Sequence, residues 1–247
     1  MTVRPQSTIV RIGAVTDPRV RLLCFPQAGG GTATFRPLSA VFPPSVDLCA
    51  LRLPGRESRR RETPLTDMHE TVAEVIKTLG EWDDVPLALL GYCSGSFVAY
   101  QVARELTQAG RPPVRLIVLA SPGPRVVAPE RRIHTLAEPD LITYLRDSRI
   151  TPESVLSDRN LFGMFEPAIR ADFAVYENWD YQPGAPLGMP VTVVGAREDA
   201  SVDFADLAMW QDHTSKDFTL RIMPGGHDFL GSASARLGEL LLAELDL

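Results

Sequence analysis

The sequence predicts an α/β fold in which a mostly parallel central sheet is flanked by helices, and three observations carry that reading. Short apolar runs recur at 20–25, 46–53, 87–90, 114–120, 191–194 and 218–223. Between most of them lie stretches with apolar residues at helical spacing, and strands alternating with helices give a parallel sheet covered on both faces. At Gly91-Tyr92-Cys93-Ser94-Gly95 an apolar run stops in a tight turn that opens at once into a helix-forming stretch.

The chain has 247 residues, which suits one domain over 1–247, and 45% of them are hydrophobic, enough for a full core. No apolar run approaches the roughly 18 residues of a membrane span, so a soluble protein with no membrane partner is expected. The first ten residues lack the apolar stretch and small-residue cleavage site of a secretion signal. Three cysteines, without metal-ligand spacing, point to free thiols in a reducing cytoplasm and to no metal site. The net charge of −6 argues against nucleic acid.

In chain order, 20–25 lies between Pro18 and Pro26 and reads as a buried strand carrying Cys24. It runs into Pro26-Gln27-Ala28-Gly29-Gly30-Gly31, where glycines let backbone N–H groups turn toward a ligand. A short helix is expected at 34–42, then a strand at 46–53 carrying Cys49. Thr66 or Asp67 caps a helix whose stripe is Met68, Val72, Val75, Ile76 and Leu79. After the strand at 87–90 the helix at 97–109 ends at Gly110, and 114–120 is the next strand. From there to the strand at 191–194 the alternation breaks, with helical runs at 139–148 and 160–176. This insertion, about 122–182, reads as a helical lid over the carboxyl ends of the strands, where open sheets bind ligands. Its Leu161, Phe162, Phe165, Ile169 and Phe173 line an acyl channel or pack the lid onto the body. A helix ends near Trp210, 218–223 is the last strand, and Asp228 caps a final helix at 230–245.

The small residues at Gly91 and Gly95 stand two before and two after Cys93, the spacing of the nucleophile elbow of α/β-hydrolases, with cysteine in the serine slot. Ser94 is the rival nucleophile, but its flanking small positions would then be Tyr92 and Ser96, and a tyrosine does not fit the first. In this fold the nucleophile, acid and histidine follow one another along the chain, each after a strand. Cys93, Asp199 and His227 satisfy that order, with Glu198 as the rival acid. Backbone N–H groups of Ala28 (or Gln27) and Ser94 are the candidate oxyanion donors. His69, His134 and His213 fall outside these loops and read as surface or lid residues.

Across nearly its whole length the chain resembles the type II thioesterases of nonribosomal peptide and polyketide synthesis. The resemblance rests on the motifs at 22–30, 53–56, 90–95, 224–227 and the Asp199 loop, with the lid at 170–173 and 176–181 also similar. It departs from the family at Gln27, where a histidine is usual, and at Tyr92-Cys93-Ser94, where the family has His-Ser-Met. The resemblance implies thioester cleavage on phosphopantetheine-bound acyl groups, with an acyl or peptidyl carrier protein as partner and no cofactor of the enzyme's own. Hydrolysis through acyl-Cys93 is the first expectation. Transfer of the acyl group to another carrier thiol or an amine is the alternative, because acyl-cysteine keeps the activation of a thioester. A non-catalytic carrier-binding module is a further one. Arg56, Arg59, Arg60 and Arg61 are candidate contacts for the carrier's acidic surface and its phosphopantetheine, Phe162 and Phe165 candidate contacts for the acyl chain, and a monomer is expected.

Overall fold

The computed structural model describes residues 7–80, 82, 84–124 and 132–247. Residues 1–6, and residues 125–131 near the start of the insertion, lie outside them.

Seven strands form one sheet: β1 (Ile9–Arg11), β2 (Val20–Phe25), β3 (Val46–Leu51), β4 (Leu87–Tyr92), β5 (Arg115–Leu119), β6 (Val191–Ala196) and β7 (Phe218–Met223). Their order is β1-β3-β2-β4-β5-β6-β7. All neighbours are parallel except β1, which runs antiparallel to β3 with Ile9 opposite Leu51. This is the mostly parallel sheet of an α/β-hydrolase, as the sequence predicts. The edge strand β1 is an addition, too short to announce itself by periodicity.

The helices are α1 (Arg36–Ser39), α2 (Met68–Leu79), α3 (Gly95–Gln108), α4 (Glu138–Ser148), α5 (Glu153–Leu156), α6 (Arg159–Glu177), α7 (Phe204–Ala208), α8 (Phe229–Ser232) and α9 (Ser234–Glu244). Asp67, not Thr66, caps α2, its carboxylate accepting from the Glu70 N–H at 3.0 Å. The last helix is two, because Ala233 leaves helical geometry at φ −130 and ψ 32. Asp228 precedes α8 without capping it by its side chain.

Strand side chains alternate between two cores, as the period of two requires. Leu23, Phe25, Cys49, Leu89 and Val193 pack with α2 and α3. Leu22, Cys24, Leu48, Leu90 and Val194 pack on the other face with α1, α8 and α9. One cation interrupts the apolar run of β2: Arg21 is buried, and it pairs with Asp47 of β3 at 2.8 Å. A third core belongs to the segment between β5 and β6, where Ile133, Leu141, Leu145, Leu156, Phe162 and Phe173 pack together and reach Ala28. Among the described residues no helix is long and apolar enough to cross a membrane.

Candidate active site

The turn after β4 follows from steric exclusion. A Cβ on Gly91 would lie 2.3 Å from the Ser96 Cα, and one on Gly95 would lie 2.3 Å from the Phe25 carbonyl oxygen. Only glycine allows the two chain ends to close this far. The residue between is forced into the left-handed region, and Cys93 has φ 52. Strain of this kind, of order 1–3 kcal/mol, is characteristic of functional turns. The Cys93 N–H donates to the Leu119 carbonyl at 2.8 Å and its own carbonyl accepts from Ser96 at 3.0 Å, so the strained residue is held on both sides. Cys93 is half-buried, whereas Ser94 is buried with ordinary backbone geometry at the start of α3. The geometry favours Cys93 over Ser94 as the residue presented to a substrate.

His227 follows β7 and Asp199 follows β6, so adjacent parallel strands deliver them to the same end of the sheet. The His227 Nδ1 is 2.8 Å from Asp199 Oδ2, and both side chains are nearly inaccessible. The second Asp199 oxygen accepts from the Ser201 N–H at 2.8 Å. The other histidine nitrogen, Nε2, is buried without a hydrogen bond of ordinary geometry. The Cys93 sulfur is close enough to act on that ring. Burial pulls the imidazole toward its neutral form, but the charge of the Cys93 sulfur and the hydrogen bond to Asp199 outweigh it and raise the His227 pKa to about 10. Burial likewise works against the Asp199 carboxylate, yet its hydrogen bond to His227 keeps the pKa below the ordinary value.

The rival acid has another partner. Glu198 is exposed, and its carboxylate accepts from the Gly225 N–H while its own N–H donates to the Gly225 carbonyl at 3.0 Å. It ties together the loops that carry Asp199 and His227. Tyr92 does similar work. Its hydroxyl donates to the His227 carbonyl at 2.7 Å, and its ring lies 5.9 Å from the imidazole at 29°.

The loop after β2 comes against the elbow, since the Phe25 and Pro26 carbonyls are the atoms a Gly95 side chain would strike. Ala28 is buried, and among the described residues neither its N–H nor that of Ser94 donates to a protein acceptor. The Gln27 side chain turns back to Thr34, whose hydroxyl donates to its oxygen at 3.2 Å. These N–H groups lie at the two loops where an acyl oxyanion is held in such folds. Among the described residues no three His, Cys, Asp or Glu side chains converge in a metal-ligating cluster.

A thioesterase-domain family model matches residues 20–243. The chain belongs to the thioesterase family. It is 32% identical over 230 residues to the gramicidin S biosynthesis protein GrsT of Aneurinibacillus migulanus, covering 93% of this chain and 90% of that one. Its fold matches the type II thioesterase BorB from the borrelidin biosynthetic cluster with a TM-score of 0.89 at 30% identity, over 98% of this chain and 100% of that one. The match to RedJ, a thioesterase of the prodiginine pathway in Streptomyces coelicolor, has a TM-score of 0.87 at 30% identity over 98% of each chain. This chain is a thioester hydrolase.

A cleft of about 810 Å³ runs beside the thioesterase's elbow, bounded by Tyr92 and Asp228, the chain neighbours of Cys93 and His227. Its apolar wall includes Ile150, Val155, Met164, Phe165, Ala168 and Ile169. Of the two phenylalanines expected to meet an acyl chain, Phe165 is on this wall and 38% exposed, while Phe162 is 1% exposed. The α6 helix turns Phe162 and Phe173 inward to the core shared with α4 and α5, away from any ligand. The four arginines divide in the same way. Arg59 is buried on Glu62, Glu74 and Thr8, and Arg56 on Asp172, so neither is a surface contact for a partner. Arg60 and Arg61 are exposed, and Arg60 borders the cleft together with Arg149 and the buried Arg56. His213 is buried against Tyr100 and Trp210, not at the surface.

Proposed function

We propose that this thioesterase acts on acyl or aminoacyl groups carried on the phosphopantetheine of carrier proteins in nonribosomal peptide or polyketide synthesis, through a covalent acyl-Cys93 intermediate. The observation that carries the chemistry is Cys93 at φ 52 beside a His227 whose Nδ1 is held by Asp199 at 2.8 Å. The similarity to GrsT and BorB supports the carrier-bound substrate. The substrate's phosphopantetheine is the only prosthetic group this reading needs.

In the first half-reaction the Cys93 sulfur, as thiolate, attacks the thioester carbonyl, and the Ala28 and Ser94 N–H groups receive the developing oxyanion. The carbon–sulfur bond to pantetheine then breaks, and the departing sulfur takes the proton from the His227 imidazolium. Acylation neutralises the Cys93 sulfur and so removes the charge that most raises the His227 pKa. The neutral imidazole is then the base for water, whose attack on acyl-Cys93 releases the carboxylic acid and returns the thiolate and imidazolium. The cleft of about 810 Å³ takes the acyl chain. We further propose that the segment 122–182, with α4 to α6, is a lid over it, and that Arg60 and Arg61 meet the carrier's acidic surface.

The cysteine itself favours a second reading, acyl transfer. Acyl-Cys93 is a thioester like its precursor, so the exchange is nearly balanced, and a second carrier thiol or an amine replaces water as acceptor. Steady-state thiol release from an acyl-pantetheine tests the common step. Wild type is expected to turn over, Cys93→Ser to retain partial activity and Cys93→Ala none, and turnover by Cys93→Ala at the wild-type rate refutes the assignment.

A further inference from the structure

The loop that carries the candidate oxyanion donor is held by charges from outside it. The Gly29 N–H donates to Asp172 Oδ2 at 2.8 Å, and Asp172 belongs to α6, 143 residues further along the chain. The same carboxylate is gripped by Arg56, with Nη1 to Oδ2 and Nη2 to Oδ1 both at 2.7 Å. Arg56 Nη1 also donates to the Gly30 carbonyl at 2.8 Å. Both side chains are largely out of solvent, 5% and 11% exposed, so the pair is bidentate and sheltered, the geometry in which such contacts are strongest. On the far side of the loop Glu57 accepts from the Thr32 N–H at 2.7 Å and holds φ 48 to do so. Gly29 itself has φ 72 and lies against α6 so closely that a Cβ would meet Ile169 Cγ1 at 2.4 Å.

Ala28 sits next to Gly29, and its N–H is free of any protein acceptor among the described residues. A backbone donor with no hydrogen bond of its own is oriented only by its neighbours. Here the Gly29 side is fixed through Asp172 and Arg56, while the loop's local bonds among the described residues are the Gly30 N–H to Gln27 carbonyl contact at 2.8 Å, the Thr34 N–H to Gly31 carbonyl contact at 3.1 Å and the Thr34 hydroxyl on the Gln27 side chain. We propose that Asp172, acting with Arg56, is a positioning residue that aims the Ala28 N–H at the reacting carbonyl, and so couples the placement of α6 to the oxyanion hole. Asp172 touches neither substrate nor nucleophile in this scheme. The inference rests on the reading of Ala28 as an oxyanion donor in a thioesterase.

The test uses full-length protein as wild type, Asp172→Ala, Asp172→Asn and Arg56→Lys. Each is given butyryl-pantetheine and the matching dithioester, in which C=S replaces C=O. Sulfur is a weaker hydrogen-bond acceptor, so a well-aimed donor favours the oxygen substrate. For Asp172→Ala, kcat on the thioester is expected to fall about 10- to 100-fold with KM within about threefold, less than the roughly 10²–10³ for deleting a donor outright. The preference for thioester over dithioester should shrink by a similar factor. Asp172→Asn keeps an oxygen for the Gly29 N–H and should recover part of both quantities, which also serves if the alanine variant does not fold. Wild-type kcat and preference in these variants overturn the proposal. So does an equal loss on both substrates accompanied by a lower melting temperature, which marks a merely structural pair. A wild-type protein that turns over neither substrate refutes the functional reading first, and the inference with it.

Discussion

Tyr92→Phe removes one atom from the candidate active site and isolates one interaction. The Tyr92 hydroxyl donates to the His227 carbonyl at 2.7 Å across 135 residues of sequence, inside a buried environment. Among the described residues no N–H donates to that carbonyl. Deleting the donor leaves a buried acceptor unpaired, at a cost of about 1–3 kcal/mol. At about 2–4 °C per kcal/mol for a chain of this size, the melting temperature should fall by roughly 2–12 °C. The ring remains, with its stacking on the imidazole, so His227 loosens without being lost. The expected fall in kcat on butyryl-pantetheine is about 3- to 30-fold, short of the roughly 100-fold that a 1 Å misplacement of a catalytic group costs. Thermal melts and initial rates on the same preparation measure both. A variant with the wild-type melting temperature and the wild-type kcat refutes the claim that this hydrogen bond holds the histidine loop.

Other consequences concern the acid, the ionisation, the thiols and the cleft. Asp199→Asn should lower kcat by about 10³- to 10⁴-fold, the scale of losing the tautomer-fixing carboxylate in such triads, whereas Glu198→Gln should stay within about tenfold because Glu198 braces Gly225 alone; the reverse ranking in initial rates exchanges their roles. The His227 imidazole should titrate near 10 by NMR in the wild type, and at lower pH in Cys93→Ala, because removing a negative neighbour disfavours the protonated ring; an unchanged titration contradicts the proximity of the two groups. Native-state alkylation should mark Cys93 and spare Cys24 and Cys49, which are buried, with the Cys49 pKa pushed up to about 12 chiefly by burial and the Cys24 pKa raised by the same cause; peptide mapping reads the result. Phe165→Trp should narrow the apolar wall and shift the preference in kcat/KM toward shorter acyl chains, with no shift if the chain lies elsewhere.

The parts of the molecule that were legible in the sequence are those set by local rules. The elbow could be read because two glycines at fixed spacing have no substitute where a Cβ would lie 2.3 Å from neighbouring backbone. The six parallel strands were legible because a sheet covered on both faces needs nearly continuous apolar runs. What was hidden depends on partners far along the chain. The run 56–61 reads as four similar arginines, and only folding brings Asp172 to Arg56 and Glu74 to Arg59. Helical spacing groups Phe162 with Phe165, but the direction of each is decided by α4 and α5, and α5 is too short to recognise. Adjacency alone does not separate Glu198 from Asp199; the resemblance of the loop to the family favours Asp199, and it is the Asp199 carboxylate that faces His227. β1 escaped notice because three residues carry no period.

The central claim, that Cys93 takes up the acyl group, is tested most directly by intact mass spectrometry of the protein mixed with an acyl-loaded carrier protein, with and without an empty carrier, for wild type, Cys93→Ala and Cys93→Ser. Wild type should gain the acyl mass and Cys93→Ala should not. Decay of that adduct to free acid without an acceptor identifies the hydrolase, while an adduct that persists until the empty carrier is added, and then loads it, identifies transfer. An acyl adduct on Cys93→Ala contradicts the assignment and moves the nucleophile to Ser94.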